Sequence, residues 1–312
     1  MIKLLHEALM IPTKNLNLIL PLTIFSLLSS SLLFLFNYLS ITPILFSISI
    51  NLHVFRSTGI INTDTTKHAI LISSIKHSIK QLFLFESIFL LISFIIFSFI
   101  HTSILHSSSL TYLAKQPTLQ DLLTKIKKSW KRPLTTQLIV SMLNLSFMFS
   151  VVFILGLCFL ISINGSFIIL VFGVAIAFLL LYLYIHLSLT CSMAVVISAL
   201  EEGYRGTSVV ISRAAELIKE RKKEGLVISM VNALATFGYY GTYTYSTLYV
   251  PQITYSPLAN GLIFVNVSTV LSMMVLCGYI VFYYECKRSH GDEEMAMKGQ
   301  QLGDIFLEIS HL

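Results

Sequence analysis

From Pro133 to Leu200 the chain carries no Asp, Glu, Lys or Arg over 68 residues, and three other stretches share the property: Asn15–Phe55, Ser87–Ala114 and Gly225–Tyr284. Soluble chains average about 25% charged residues, so blocks of this length belong in lipid. Composition agrees, with 55% apolar and 12% charged residues and a mean hydropathy of +0.81. A membrane-crossing helix needs about 20 apolar residues. The 28-residue block therefore holds one span, and the 68- and 60-residue blocks hold two each. The first block, 41 residues long, is compatible with one span followed by a shallow apolar segment, or with two short spans broken near "SITP", where Pro43 interrupts the pattern.

Turn chemistry divides the longer blocks at "SINGS" (162–166) and "VPQITYSPLANG" (250–261). Six spans are predicted, near 16–38, 82–104, 136–160, 167–189, 226–248 and 262–284. The apolar runs are continuous, without the ten-residue alternation of a barrel, so the spans are helices. The predicted fold is an all-α polytopic transmembrane bundle, a single membrane domain over 1–290 with a polar tail at 291–312. The opening run "NLILPLTIFSLLSSSLLFLF" outlasts the apolar core of a signal peptide and reads as an uncleaved first span.

Lys and Arg concentrate in alternate connections, with 17 of the 21 on one side if both termini are cytosolic. The dissenting element is the first loop. There "TTKHAILISSIKHSIKQLF" (65–83) sets Leu71, Ile72, Ile75, Ile79 and Leu82 on one face against Lys67, Lys76 and Lys80, the pattern of an interfacial helix. Endoplasmic reticulum and plasma membrane both fit the chain.

On the cytosolic side, "QPTLQDLLTKIKKSWKRP" (116–133) has the grammar of a short helix capped by Thr118 with Asp121. Leu119, Leu122, Leu123, Ile126 and Trp130 form its apolar stripe, and Lys125, Lys127, Lys128, Lys131 and the following Arg132 supply its charge. The expectation is a helix lying on the anionic inner leaflet with Trp130 at headgroup depth. A lipid or protein contact is expected here rather than nucleic acid.

The next charged connection begins at Glu201 and Glu202, which as sequence neighbours point about 100° apart on a helix and make no facing carboxylate pair. After "GYRG" a second amphipathic helix is predicted from Thr207 to Lys223, with Val210, Ala214, Leu217 and Ile218 as its stripe and Gly225 as its terminator. Pairs at spacing three, Arg213 with Glu216, Glu216 with Lys219, and Glu220 with Lys223, would support it. Lys219, Arg221 and Lys222 are candidate membrane or partner contacts, with Glu201 beside them.

The pattern "SMAVVISALEEGYRGTSVVISRAAELIKERKKEG", with "SWKRPLTTQ" before the third span and "YYECKRSH" after the last, resembles a family of uncharacterised plant multi-pass membrane proteins. That family is more remotely similar to the membrane domain attached to some bacterial glycerophosphodiester phosphodiesterases. The resemblance covers roughly Leu110 to His290, anchored on Trp130, Lys131, Glu201, Gly206, Ser212, Leu217, Lys219, Cys286 and Lys287. Glu220 stands where the family tends to have glycine. The resemblance implies the architecture and carries no catalytic residues with it.

Chemistry is sparse. The sequence has no H-E-x-x-H, no G-x-x-x-x-G-K-[ST] and no G-x-G-x-x-G, and its four aspartates lie outside the spans. No cofactor, metal or catalytic group is expected. Intramembrane polar candidates are Glu86, whose burial would be costly, His186, and Tyr239, Tyr240 and Tyr243 of the glycine- and tyrosine-rich fifth span. Asn144, Asn232 and Asn266 suit interhelical hydrogen bonds. Cys286, just past the last span, is a candidate for palmitoylation or simply a small residue at a helix end.

These features leave three readings open. The chain is a scaffold or regulatory membrane component working through its basic cytosolic helices, a small-solute or ion transporter, or, on the remote resemblance alone, an intramembrane lipid enzyme.

Overall fold

The computed structural model describes residues 2–58, 65–113, 119–162, 167–201, 206–249 and 257–291. All regular structure among them is helical: α1 (Ile2–Lys14), α2 (Leu16–Thr58), α3 (Thr65–Tyr112), α4 (Leu119–Ser129), α5 (Lys131–Ser162), α6 (Phe167–Leu200), α7 (Thr207–Ile218), α8 (Lys222–Tyr249) and α9 (Pro257–Ser289). The tail at 292–312, Glu202, Thr118 and the two predicted turns at 163–166 and 250–256 lie outside the described residues, as do the side chains of Asp121 and Lys128.

Five helices among the described residues are long and apolar enough to cross a membrane: Asn17–Phe55, Ala69–Tyr112, Lys131–Leu160, Val171–Leu200 and Pro257–Ser289. The protein is a multi-pass integral membrane protein. The predicted span near 226–248 is a continuous helix inside α8, but it is not one of the five. Its glycines, tyrosines and threonines dilute the aliphatic residues that give the other helices their hydropathy.

The first block contains no break. α2 runs through Pro43 as one helix of 43 residues, which overturns the two-short-span arrangement. Proline is tolerated in membrane helices where neighbouring groups take up the freed backbone. Beside it the Thr42 hydroxyl donates to the Tyr38 carbonyl at 2.5 Å. The 65–83 segment likewise continues into the second span within the 48-residue α3. At 1.5 Å per residue these helices are roughly 65 and 72 Å long, about twice a hydrocarbon core of ~30 Å. A straight crossing therefore leaves a long section of each outside the hydrocarbon.

The chain divides into two compact units. One comprises Met1–Leu22, His101–Gly241 and Ser272–Leu312; the other comprises Thr23–Ile100 and Thr242–Leu271. In the first unit, the charged ends of the helices pack around a continuous core of Leu105, Leu189, Met193, Ile197, Ala214, Leu217, Ile280 and Phe282, all fully buried. Ala8 and Ile11 place α1 in the same core, although its sequence gave no prediction of a packed helix. Farther along α5 and α6, large side chains such as Phe149, Phe153 and Phe178 point outward. That inversion suits helices whose surroundings are as apolar as their interior.

The second unit is held by small groups and rings. Ser31 donates to the Asn266 side chain at 3.0 Å, fulfilling the expectation of an interhelical bond at that asparagine. Phe36 meets Phe85, Tyr243 lies on Phe264, and the Phe34 ring occupies the space beside Gly261 that a side chain would need.

Candidate functional site

Glu201, Glu220 and Arg221, from the charged connection that follows α6, meet the end of α9 in the first unit. Glu201 follows the last residue of α6, and its Oε1 accepts a hydrogen bond from the Tyr283 hydroxyl of α9 at 2.5 Å. Lys287, one turn farther along α9, stands 3.6 Å from the same oxygen. A carboxylate at a helix C-terminus faces the unfavourable end of the helix dipole, and these two donors offset that.

Gly206, at φ +105° and ψ 135°, then starts α7 in a backbone conformation that glycine adopts without strain. The stripe of α7 is as expected: Val210, Ala214, Leu217 and Ile218 are all buried.

After α7 the chain departs from expectation. The helix ends at Ile218, a turn spans Lys219–Arg221, and α8 begins at Lys222. Gly225 is therefore inside α8 and caps nothing. A Cβ placed there would come within 2.7 Å of the Phe282 ring and 2.9 Å of Leu189 Cδ2, so the glycine serves close approach between helices. Of the three pairs expected at spacing three, Arg213–Glu216 forms at 3.7 Å. Lys219, Lys222 and Lys223 are exposed and form no ion pair with a described residue. The turn is tied instead to α9, where Arg221 Nη1 donates to Glu285 at 2.8 Å; the same nitrogen donates to Glu224 in the first turn of α8 at 3.2 Å. Ser289 donates to Glu220 at 2.7 Å, and His290 Nδ1 lies 3.6 Å from the same carboxylate oxygen. Arg221 and Glu285 are 64 residues apart, so no local pattern could have announced their pairing.

α4 is also placed differently. Leu122 and Ile126 are buried against Leu18, Leu22 and Leu110, so these two residues of the apolar stripe pack on protein. Leu123, at 54% exposure, and Trp130, at 41%, look outward, and the side chain of Leu119 lies outside the described residues. Lys125, Lys127, Lys131 and Arg132 are exposed on the outer surface. The packed face acts as an anchor and the basic face is what the helix presents.

Cys286 is fully buried in the main core. Acyl transfer needs an exposed thiol, so palmitoylation there would require this end of the unit to open. Glu86 and Tyr243 belong to the second unit, whereas His186, Tyr239 and Tyr240 belong to the first. His186 meets the Tyr182 ring edge-on, and Tyr239 meets Tyr240 in the same way. Asn144 keeps its buried Oδ1 without a hydrogen-bond partner among the described residues. Among those residues no three His, Cys, Asp or Glu side chains cluster as metal ligands would.

One concavity escaped the sequence reading: a cavity of about 490 Å³ within the first unit, bounded by Phe147 and Val151 of α5, Ala177 and Ser188 of α6, and Asn232 and Tyr240 of α8. Asn232 stood out in the sequence as a polar residue in a span, but the wall opposite it is contributed by helices remote in the chain.

No curated protein and no solved structure matches this chain. A family model described as "Domain of unknown function (DUF8558)" matches residues 1–302. A multi-pass helical chain with a polar assembly at its charged end, it belongs to the DUF8558 family.

Proposed function

We propose that this protein is a membrane scaffold or regulatory component that presents a rigid basic platform to anionic lipid or to an acidic partner on the cytosolic side. One observation carries the reading: Leu122 and Ile126 bolt α4 to the buried core while Lys125, Lys127 and Lys131 stay exposed. The turn after α7 repeats the arrangement, because Glu224 and Glu285 are engaged by Arg221 whereas Lys219, Lys222 and Lys223 remain outward. With Glu224 and Glu285 engaged, the exposed lysines outnumber the exposed Glu216 and Glu220, and a net basic surface attracts anionic headgroups at about 1 kcal/mol per basic residue. The concentration of Lys and Arg on this side supports its cytosolic placement.

The test uses the full-length chain in phosphatidylcholine nanodiscs, presented to phosphatidylcholine vesicles with and without phosphatidylserine. Salt-sensitive capture of the anionic vesicles, lost when Lys125, Lys127, Lys128 and Lys131 are changed to Gln, is expected. Equal capture by the variant, or solute flux in proteoliposomes abolished by Glu86→Gln, would overturn the reading and favour transport.

A further inference from the structure

The cavity between α5, α6 and α8 is not used by the proposed platform, and its lining changes in character along the helix axes. α6 runs toward the charged end of the unit and α8 runs away from it, so levels can be counted from Leu200 and Lys222. At 1.5 Å per residue, Ser229 and Asn232 lie roughly 10–15 Å, and Ser188 roughly 18 Å, from the charged end. Phe147, Val151, Ala177 and Tyr240 lie roughly 24–35 Å from it, counting α5 from Lys131. The nearer part is thus lined by hydroxyls and an amide, and the deeper part mostly by hydrocarbon and aromatic rings, the phenols of Tyr184 and Tyr240 among them.

Two further observations point to an occupant. Asn232, Ser188 and Thr236 line the cavity and form no side-chain hydrogen bond with any described residue. In most membrane helices hydroxyls turn back to the carbonyl four residues earlier, as Thr190 does to His186 at 3.1 Å. Here three polar side chains face the opening uncommitted among largely apolar neighbours, where an unmet polar group is costly. In addition, no carboxylate, amine, guanidinium or imidazole is among the lining residues, so nothing there balances a charged headgroup. The volume is within the range of about 300–1,000 Å³ usual for sites that enclose a small molecule.

We infer that this cavity is a binding site for an uncharged, hydroxyl-bearing lipid, whose hydroxyl meets Asn232 and Ser188 and whose hydrocarbon body lies against Phe147 and Val151. An ordinary phospholipid fits poorly, since its phosphate would sit at span depth without a cation. Two lipid types share the required chemistry, a rigid sterol and a two-chained diacylglycerol, and the experiment separates them. The inference is independent of the basic platform, so either can fail alone.

The test reconstitutes the full-length chain in nanodiscs with photoreactive analogues of cholesterol, diacylglycerol or phosphatidylserine, and maps the labelled peptides. Saturable labelling within 147–151, 177–188 or 229–240 by one of the hydroxyl lipids, competed by its unlabelled form, is expected. Asn232→Leu, an apolar change suited to a span, should weaken that competition about three- to tenfold, the loss of one hydrogen bond. Ala177→Trp, which fills the deep end, should abolish the labelling in protein that stays monodisperse. Should that variant not stay monodisperse, competition on the unmodified chain and the Asn232→Leu result decide. Equal labelling by phosphatidylserine, no saturable labelling by either hydroxyl lipid, or indifference to Asn232→Leu would reduce the cavity to ordinary annular lipid contact and overturn the site.

Discussion

Tyr283, buried on α9, donates its hydroxyl to Glu201 at the end of α6, across 82 residues of sequence. This bond, and not the ion pair beside it, dominates the local energetics. Hydrogen bonds to charged groups contribute about 1.5–3 kcal/mol, whereas partly exposed ion pairs contribute about 0.2–1 kcal/mol. Tyr283→Phe should therefore destabilise the protein by about 2 kcal/mol in a denaturant or thermal melt in detergent, and Lys287→Met by clearly less. An equal loss for the two substitutions would contradict this ordering.

Gly225 tests the close approach of α8 to α9. Alanine is favoured over glycine within a helix by about 1 kcal/mol, yet its Cβ would overlap the Phe282 ring and the Leu189 methyl. Overpacking usually costs about 1–3 kcal/mol, so Gly225→Ala should lower stability, and adding Phe282→Leu should recover part of the loss. A stabilised Gly225→Ala protein would show that the two helices separate easily.

The two faces of α4 should respond differently. Leu122→Ala and Ile126→Ala empty packed positions and should each cost about 2–5 kcal/mol, whereas Leu123→Ala, on the exposed side, should change stability by less than about 1 kcal/mol. Gln in place of Lys125, Lys127 or Lys131 should leave the melt unchanged and weaken capture of phosphatidylserine vesicles by about fivefold per residue. A melt that reports equal losses on both faces would place the stripe on lipid after all.

Burial of Cys286 leads to a chemical expectation. Hydroxylamine-sensitive acyl labelling of the chain in membranes should be the same before and after Cys286→Ser, and a bulky maleimide should reach this thiol only after unfolding. Acyl label that disappears with the serine variant would require the packed end to open in the cell.

Much of this architecture was legible residue by residue. The uncharged blocks located the helices because lipid excludes charge wherever it occurs in the chain, and the α7 stripe was read correctly because helical period is a local property.

What the sequence by itself determined, then, is an all-helical membrane chain with its charge gathered in particular connections. Tertiary structure alone decided what each apolar surface meets. An aliphatic stripe is equally at home on lipid and on protein, so α4 could not be assigned from its pattern, nor could Pro43 be read as continuing a helix. Gly225 looked like a terminator because the Phe282 ring it admits lies 57 residues away. The Arg221–Glu285 clamp, the enclosure of Cys286 and the polar mouth of the cavity arise in the same way, from side chains distant in sequence brought together by helix packing.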